Sequence, residues 1–113
     1  MINNQKILLK FIQTNKNVDW FNISYDYSLS ENFIRKYSDK INWLFVSIRQ
    51  ILSEDLIYEL KDYVNWYEIS KHQNLSENFI RIFKHSVCWS NILMYQKLSE
   101  NFKIEFKYEL YDK

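Results

Sequence analysis

An all-α fold, a short α/α solenoid of 23-residue two-helix repeats, is predicted by three observations. The four tryptophans, Trp20, Trp43, Trp66 and Trp89, stand 23 residues apart. The tripeptide Leu-Ser-Glu recurs with the same period, beginning at Leu29, Leu52, Leu75 and Leu98. Glycine and proline are absent from the 113 residues, as is alanine, where an average chain of this length holds about thirteen Gly plus Pro. A fixed period of roughly 20 to 50 residues is the mark of units that bury their apolar faces by stacking on one another. Tight β-hairpins depend on glycine or Asn-Gly turns, so the empty glycine count argues against a sandwich or barrel.

The period predicts one domain over 1–113. It comprises a degenerate N-terminal unit (1–28), full repeats at 29–51, 52–74 and 75–97, and a truncated C-terminal unit (98–113). Within a repeat, Ser30, Ser53, Ser76 and Ser99 are good helix N-caps, since a serine hydroxyl accepts an orphan N–H of the first turn. The glutamate that follows each serine lies at the positive end of the helix dipole. The leucine before the cap can staple to Ile34, Ile57 or Ile80, a contact that Lys103 breaks in the last unit. Downstream, Phe33/Tyr37/Ile41, Leu56/Leu60/Val64, Phe79/Phe83/Val87 and Phe102/Phe106/Leu110 step by four and draw one stripe on a helix of roughly twelve residues, helix A.

A continuous helix turns by about 100° per residue and would rotate this stripe by roughly 140° per repeat, so each repeat must break. Asp19, Asn42 and Asn65, each directly before a tryptophan, can cap a second, shorter helix B. Helix B carries Trp20/Ile23/Tyr27, Trp43/Val46/Gln50, Trp66/Ile69/Gln73 and Trp89/Ile92/Gln96. Phe45 to Ile48 is rich in strand formers, which leaves a β-strand there as the structural alternative.

The consensus Leu-Ser-Glu-Asn-Phe-Ile, then Asp/Asn-Trp, then Ile/Val-Ser and a closing Gln resembles a short tandem repeat found in proteins of giant DNA viruses, bacteriophages and mobile elements. The likeness spans about residues 18–106. It implies a helical repeat of viral or phage origin and carries over no catalytic residues. The chain departs from the pattern at Cys88, where Asp or Asn is expected, and at Leu93, where Ser24, Ser47 and Ser70 stand in the other units.

Function is narrowed first by exclusion. Phosphate-cradling loops, nucleophile elbows and oxyanion nests need glycine so that backbone N–H groups can converge on a ligand, and none can be built here. The only cysteine, Cys88, and the two histidines, His72 and His85, fall short of a zinc ligand set, and His85 with Cys88 at i, i+3 supplies two ligands at most. Neither enzymatic activity, nor a metal, nor a cofactor is expected. A lone cysteine suits a reducing compartment. No uncharged stretch approaches a membrane span and Met1 to Lys6 lacks the shape of a signal peptide, so the expected location is the cytoplasm, that of a host cell if the origin is viral.

In repeat proteins, positions that vary between units are free to carry function. Here they include Phe21, Phe45, Tyr67 and Glu68 just after the tryptophans, Tyr25 further along helix B, and Arg35, Tyr58, Arg81 and Tyr63 on helix A. This set predicts an apolar, tyrosine-rich surface of the kind that anchors protein partners. Charge alternates too: 29–51 carries four basic and two acidic side chains, 52–74 two and five, 75–97 three and one. That pattern suits the register of a partner or of a second copy.

The expected function is therefore a non-catalytic protein-protein interaction module, with an anti-CRISPR-like viral or phage inhibitor that occludes a host defence complex as its specific form. One alternative is self-assembly through the C-terminal unit, where Phe102, Phe106, Leu110 and Tyr111 would be exposed unless another chain covers them. The other is single-stranded nucleic-acid binding by aromatics interleaved with arginine, which the acidic middle repeat and a net charge of +1 disfavour.

Overall fold

The computed structural model describes residues 4–15 and 17–111; of Met1 to Lys6, which lack the pattern of a signal peptide, the first three lie outside them. The described residues form ten helices: α1 (Gln5–Thr14), α2 (Trp20–Asp26), α3 (Glu31–Lys36), α4 (Trp43–Arg49), α5 (Glu54–Glu59), α6 (Trp66–His72), α7 (Glu77–Ile82), α8 (Trp89–Tyr95), α9 (Glu100–Glu105) and α10 (Lys107–Tyr111). This is the predicted all-α class of repeated helix pairs. The strand alternative at Phe45 to Ile48 is replaced by α4, because the Asn42 cap and the Trp43/Val46 spacing fix a helical period there. The chain packs as two compact units, Met1–Val64 and Asn65–Lys113. No described helix is long and apolar enough to cross a membrane.

The serine caps form as the sequence indicates: Ser30, Ser53, Ser76 and Ser99 each accept the N–H three residues on. Helix B starts at tryptophan in every repeat, with Asp19, Asn42 and Asn65 capping in the same way. Cys88 stands at that position without a side-chain cap, but its backbone N–H donates to Ser70 Oγ at 2.9 Å as that of Asn42 does to Ser24 Oγ.

Helix A is shorter than the stripe suggests, six residues against seven for helix B. At Tyr37 the backbone leaves the helical region for φ −111°, ψ 26°. The stripe survives because the i→i−4 bonds continue through the corner, with Tyr37 N donating to Phe33 O at 3.0 Å and Ile41 N to Tyr37 O at 3.0 Å. A tighter bond from Lys40 N to Tyr37 O at 2.9 Å closes the turn. The second corner, after helix B, runs through extended residues such as Gln50 (φ −90°, ψ 147°). No described residue has positive φ, so every corner uses conformations open to any L-residue and glycine is not required.

Side chains complete these corners. Gln50, buried, accepts from Leu29 N–H at 2.8 Å through Oε1 and donates through Nε2 to Tyr27 O at 2.7 Å. Gln96 repeats the clasp in the second unit, on Leu75 N–H at 3.1 Å and the carbonyls of Ser70 and Gln73 at 2.8 Å. Gln5 of α1 bonds Ser28 O and Ser30 N–H on the same loop. Ser24, buried in α2, donates to Trp20 O at 2.7 Å and accepts Asn42 N–H at 2.8 Å, tying α2 to the start of α4. Ser70 does the same for α6 and α8. Glu31, in the first turn of α3, reaches the start of the next helix A, taking Ser53 N–H and Oγ–H at 3.1 Å, as Glu77 takes those of Ser99.

The apolar core lies between the helices of each unit. Ile34, Ile57 and Val46 in the first unit and Ile80, Ile69 and Ile92 in the second are fully buried. The tryptophans that open helix B are half-buried. Trp43 donates from Nε1 to Ser38 O at 2.8 Å and Trp89 to Lys84 O at 3.0 Å, so each indole braces the preceding corner with its polar edge. The ring covers the aromatic stripe of the next helix A: Trp20 lies 5.2 Å from Tyr37, Trp66 4.9 Å from Phe83 and Trp89 5.0 Å from Phe106. Where the repeat 52–74 has Leu56 and Leu60 in the stripe, Trp43 stacks on Tyr63 at 5.8 Å instead. The expectation that Phe102, Phe106 and Leu110 are exposed is corrected. All three are buried, with α10 packed on α8 and α9, while Tyr111 remains exposed.

Two outcomes test this account. Gln50→Ala strands the Leu29 N–H and Tyr27 C=O in the interior and should cost about 2 kcal/mol, read as a lowered urea midpoint with unchanged slope. The Glu77 carboxyl is held below its ordinary value, chiefly by the Ser99 N–H, against a smaller desolvation effect and with help from the Ser99 hydroxyl and Arg81. A depressed folded-state value means a stabilising contribution present above the unfolded value of about 4.3 and lost as pH falls through the folded one. Glu77→Gln should therefore show a smaller fall in urea midpoint on acidification below about pH 4.3 than the parent; an identical fall would remove Glu77 from the acid response.

Candidate partner-binding face

Helix B is capped at one end and clasped at the other, which fixes its rotation. Ile23 and Ser24 in α2 and Val46 and Ser47 in α4 point into the core. Their neighbours in sequence therefore form the outer face. Phe21 is 52% exposed and Tyr25 40%, and both rings meet the half-buried Phe45 edge-on, at centroid distances of 4.5 and 5.3 Å with interplanar angles of 75° and 87°. These are favoured quadrupole geometries that hold the three rings in place without burying them. Leu44, 43% exposed, lies one residue before Phe45 on α4. Arg49 places its guanidinium 4.3 Å over the Tyr25 ring and donates from Nε to Tyr25 O at 3.2 Å.

Of the residues singled out in the sequence, Phe21, Tyr25 and Phe45 are thus brought together. Arg35 and Arg81 are not part of this cluster. They lie on helix A and are occupied by Glu59 and Glu105, with Nε to carboxylate distances of 3.0 and 3.1 Å, and by Asn32 and Asn78 through Nη1. The hydrogen bond to each glutamate is the main reason that both guanidinium values are raised. Tyr58 is exposed on α5 with Lys61 over its ring at 5.0 Å, and Tyr63 is taken up by Trp43. In the second unit Tyr67 is exposed, and its carbonyl accepts from Asn91 Nδ2 at 2.9 Å. Glu68 lies 3.1 Å from His72 Nε2.

Arg49 was not among the candidates. The varying set Asp26, Arg49, His72 and Tyr95, six residues after each tryptophan, holds the signal that finds it. Two open grooves beside tryptophans, about 540 Å³ at Trp20, Tyr37 and Lys40 and about 440 Å³ at Trp89, Phe106 and Glu109, occupy equivalent places in the repeat. Among the described residues no group of three or more His, Cys, Asp or Glu side chains is placed to hold a metal ion. Chemically, the α2 and α4 face offers fixed aromatic surface and guanidinium donors, which suits recognition. Compared with known protein families, with curated proteins and with solved structures, the chain matches none.

If these rings are surface rather than core, Phe21→Ser should change stability by less than about 1 kcal/mol, whereas Val46→Ala, one residue beyond Phe45 but fully buried, should cost roughly 1 to 3 kcal/mol. Chemical denaturation of the two variants in parallel decides it.

Proposed function

We propose that this chain is a non-catalytic protein-protein interaction module that binds its partner across the outer face of α2 and α4. The observation that carries this reading is the Phe21, Tyr25 and Phe45 cluster: three rings held by edge contacts to Phe45, with Phe21 and Tyr25 both exposed to solvent. Rings already held in one arrangement lose little freedom on binding, and exposed aromatics of this kind are the usual anchors of protein interfaces. The positions that repeat faithfully are committed to corners and core, which leaves the varying positions for recognition. The glycine-free backbone, with no positive φ among the described residues, lacks the nests on which oxyanion and phosphate chemistry relies. Likeness of the repeat consensus to repeats of giant-virus, phage and mobile-element proteins favours a host protein as the partner. Occlusion of a host defence complex in the host cytoplasm is the specific form of this reading.

The test is capture from host extract with the full chain and two controls. A single stoichiometric protein should be retained by the parent and by Tyr58→Ser, and released by Phe21→Ser. Retention indifferent to Phe21, or no retained protein, would overturn the reading.

A further inference from the structure

The chain has three arginines, Arg35, Arg49 and Arg81. Two are neutralised within the chain by glutamates one repeat on, Arg35 by Glu59 and Arg81 by Glu105. Arg49 is different. It is exposed, its guanidinium carbon lies 4.3 Å over the Tyr25 ring, and its Nε is taken by a carbonyl rather than a carboxylate. Among the described residues no carboxylate lies within ion-pair distance of it, and Asp26, at the same position one repeat earlier, is not paired with it. A guanidinium stacked on a ring keeps its two Nη groups at the edge of the stack, oriented to grip a carboxylate by parallel hydrogen bonds. They stand at the margin of the Phe21, Tyr25 and Phe45 surface.

The geometry points to an acidic-apolar protein segment as the occupant of this face: a large apolar or aromatic side chain seated on the Phe21 and Phe45 rings, with a neighbouring Asp or Glu held by Arg49. The inference rests on the α2 and α4 face being the docking surface and adds the chemistry of what docks. Charge complementarity selects the acidic group, since the chain supplies a counter-ion to its other two arginines and leaves this one to the partner. A single-stranded nucleic acid also stacks on aromatic rings, but its affinity comes from several neutralised phosphates. One arginine stands beside these rings, in a chain of net charge +1.

The experiment pans a display library of random 12-residue peptides on the full chain and measures the best synthetic peptide against variants by fluorescence anisotropy. The enriched peptides should share an aromatic or large aliphatic residue within a few positions of Asp or Glu, and Phe21→Ser should abolish binding. Arg49→Gln should weaken binding about tenfold. Changing the peptide's acid to its amide should cause the same loss, with no further loss in Arg49→Gln. Peptides that need Phe21 but bind Arg49→Gln as tightly as the parent overturn the acidic requirement and leave the docking face standing. Failure to obtain any Phe21-dependent peptide overturns the docking face itself, and this inference with it. A 12-nucleotide oligo(U) or oligo(dT) that binds the parent and is released by Phe21→Ser overturns the protein segment in favour of nucleic acid.

Discussion

Unpaired backbone groups at the corners are the constraint on which this structure depends. A helix of six or seven residues leaves most of its N–H and C=O groups without intrahelical partners, and this chain makes such ends twice in every 23 residues. Without glycine it has no left-handed caps to absorb them. The groups are met by side chains instead: the Ser, Asp and Asn caps come from the same repeat, and the rest come from a neighbouring one. Gln50 reaches back to Leu29 and Tyr27, Ser24 takes the N–H of Asn42, and Glu31 takes that of Ser53. The bonds that finish a corner are therefore the bonds that set one repeat against the next. A repeat cut from its neighbours would keep its serine and asparagine caps but lose its burial and these corner bonds, which is why units of this kind are stable only beside one another.

What the sequence made legible follows from range. Serine caps bond three residues ahead, so Ser30 and Phe33 are read together in any short window. The clasp of Gln50 joins positions 21 to 26 residues apart. The recurrence of Gln is visible, but nothing local says what it holds. Helix A was overestimated for a related reason: Ile41 still bonds Tyr37 in the i→i−4 pattern, so the apolar stripe runs unbroken across a corner at which the dihedrals have already left the helix. Repetition and size by themselves would place the tryptophans in the core. The indole N–H needs an acceptor, however, and the carbonyls of Ser38 and Lys84 at the corners hold Trp43 and Trp89 at the half-buried margin.

The candidate face shows the same division. Phe21, Tyr25 and Phe45 were found as varying positions, yet their meeting depends on an offset that the period conceals. On these outer positions three pairs meet at a separation of 24, not 23: Phe21 with Phe45, Tyr25 with Arg49 and Arg35 with Glu59. Read at 23, Arg35 and Arg81 look unpaired and available; read at 24, each has its glutamate. The same shift brings Arg49 onto Tyr25 and into the aromatic cluster. A charge that varies from repeat to repeat does not by itself reveal whether its counter-ion lies inside the chain or on another molecule, and only the arrangement of the helices distinguishes Arg35 from Arg49.

The corner bonds also bear on how the chain acquires its structure. The hydrogen bonds that link one repeat to the next span 18 to 26 residues, so no distant parts of the chain must find one another before they form. Low separation between contacting residues favours fast folding, in the range of microseconds to milliseconds for helical proteins. Within each compact unit, a repeat already formed presents donors and acceptors in place for the next. A one-residue insertion within a repeat would throw out of register the partners that span it, whereas duplication of a whole repeat would preserve the spacing of all of them. The clasp thus makes the chain intolerant of small length changes and permissive of large ones, a rule under which such a protein can lengthen by copying itself.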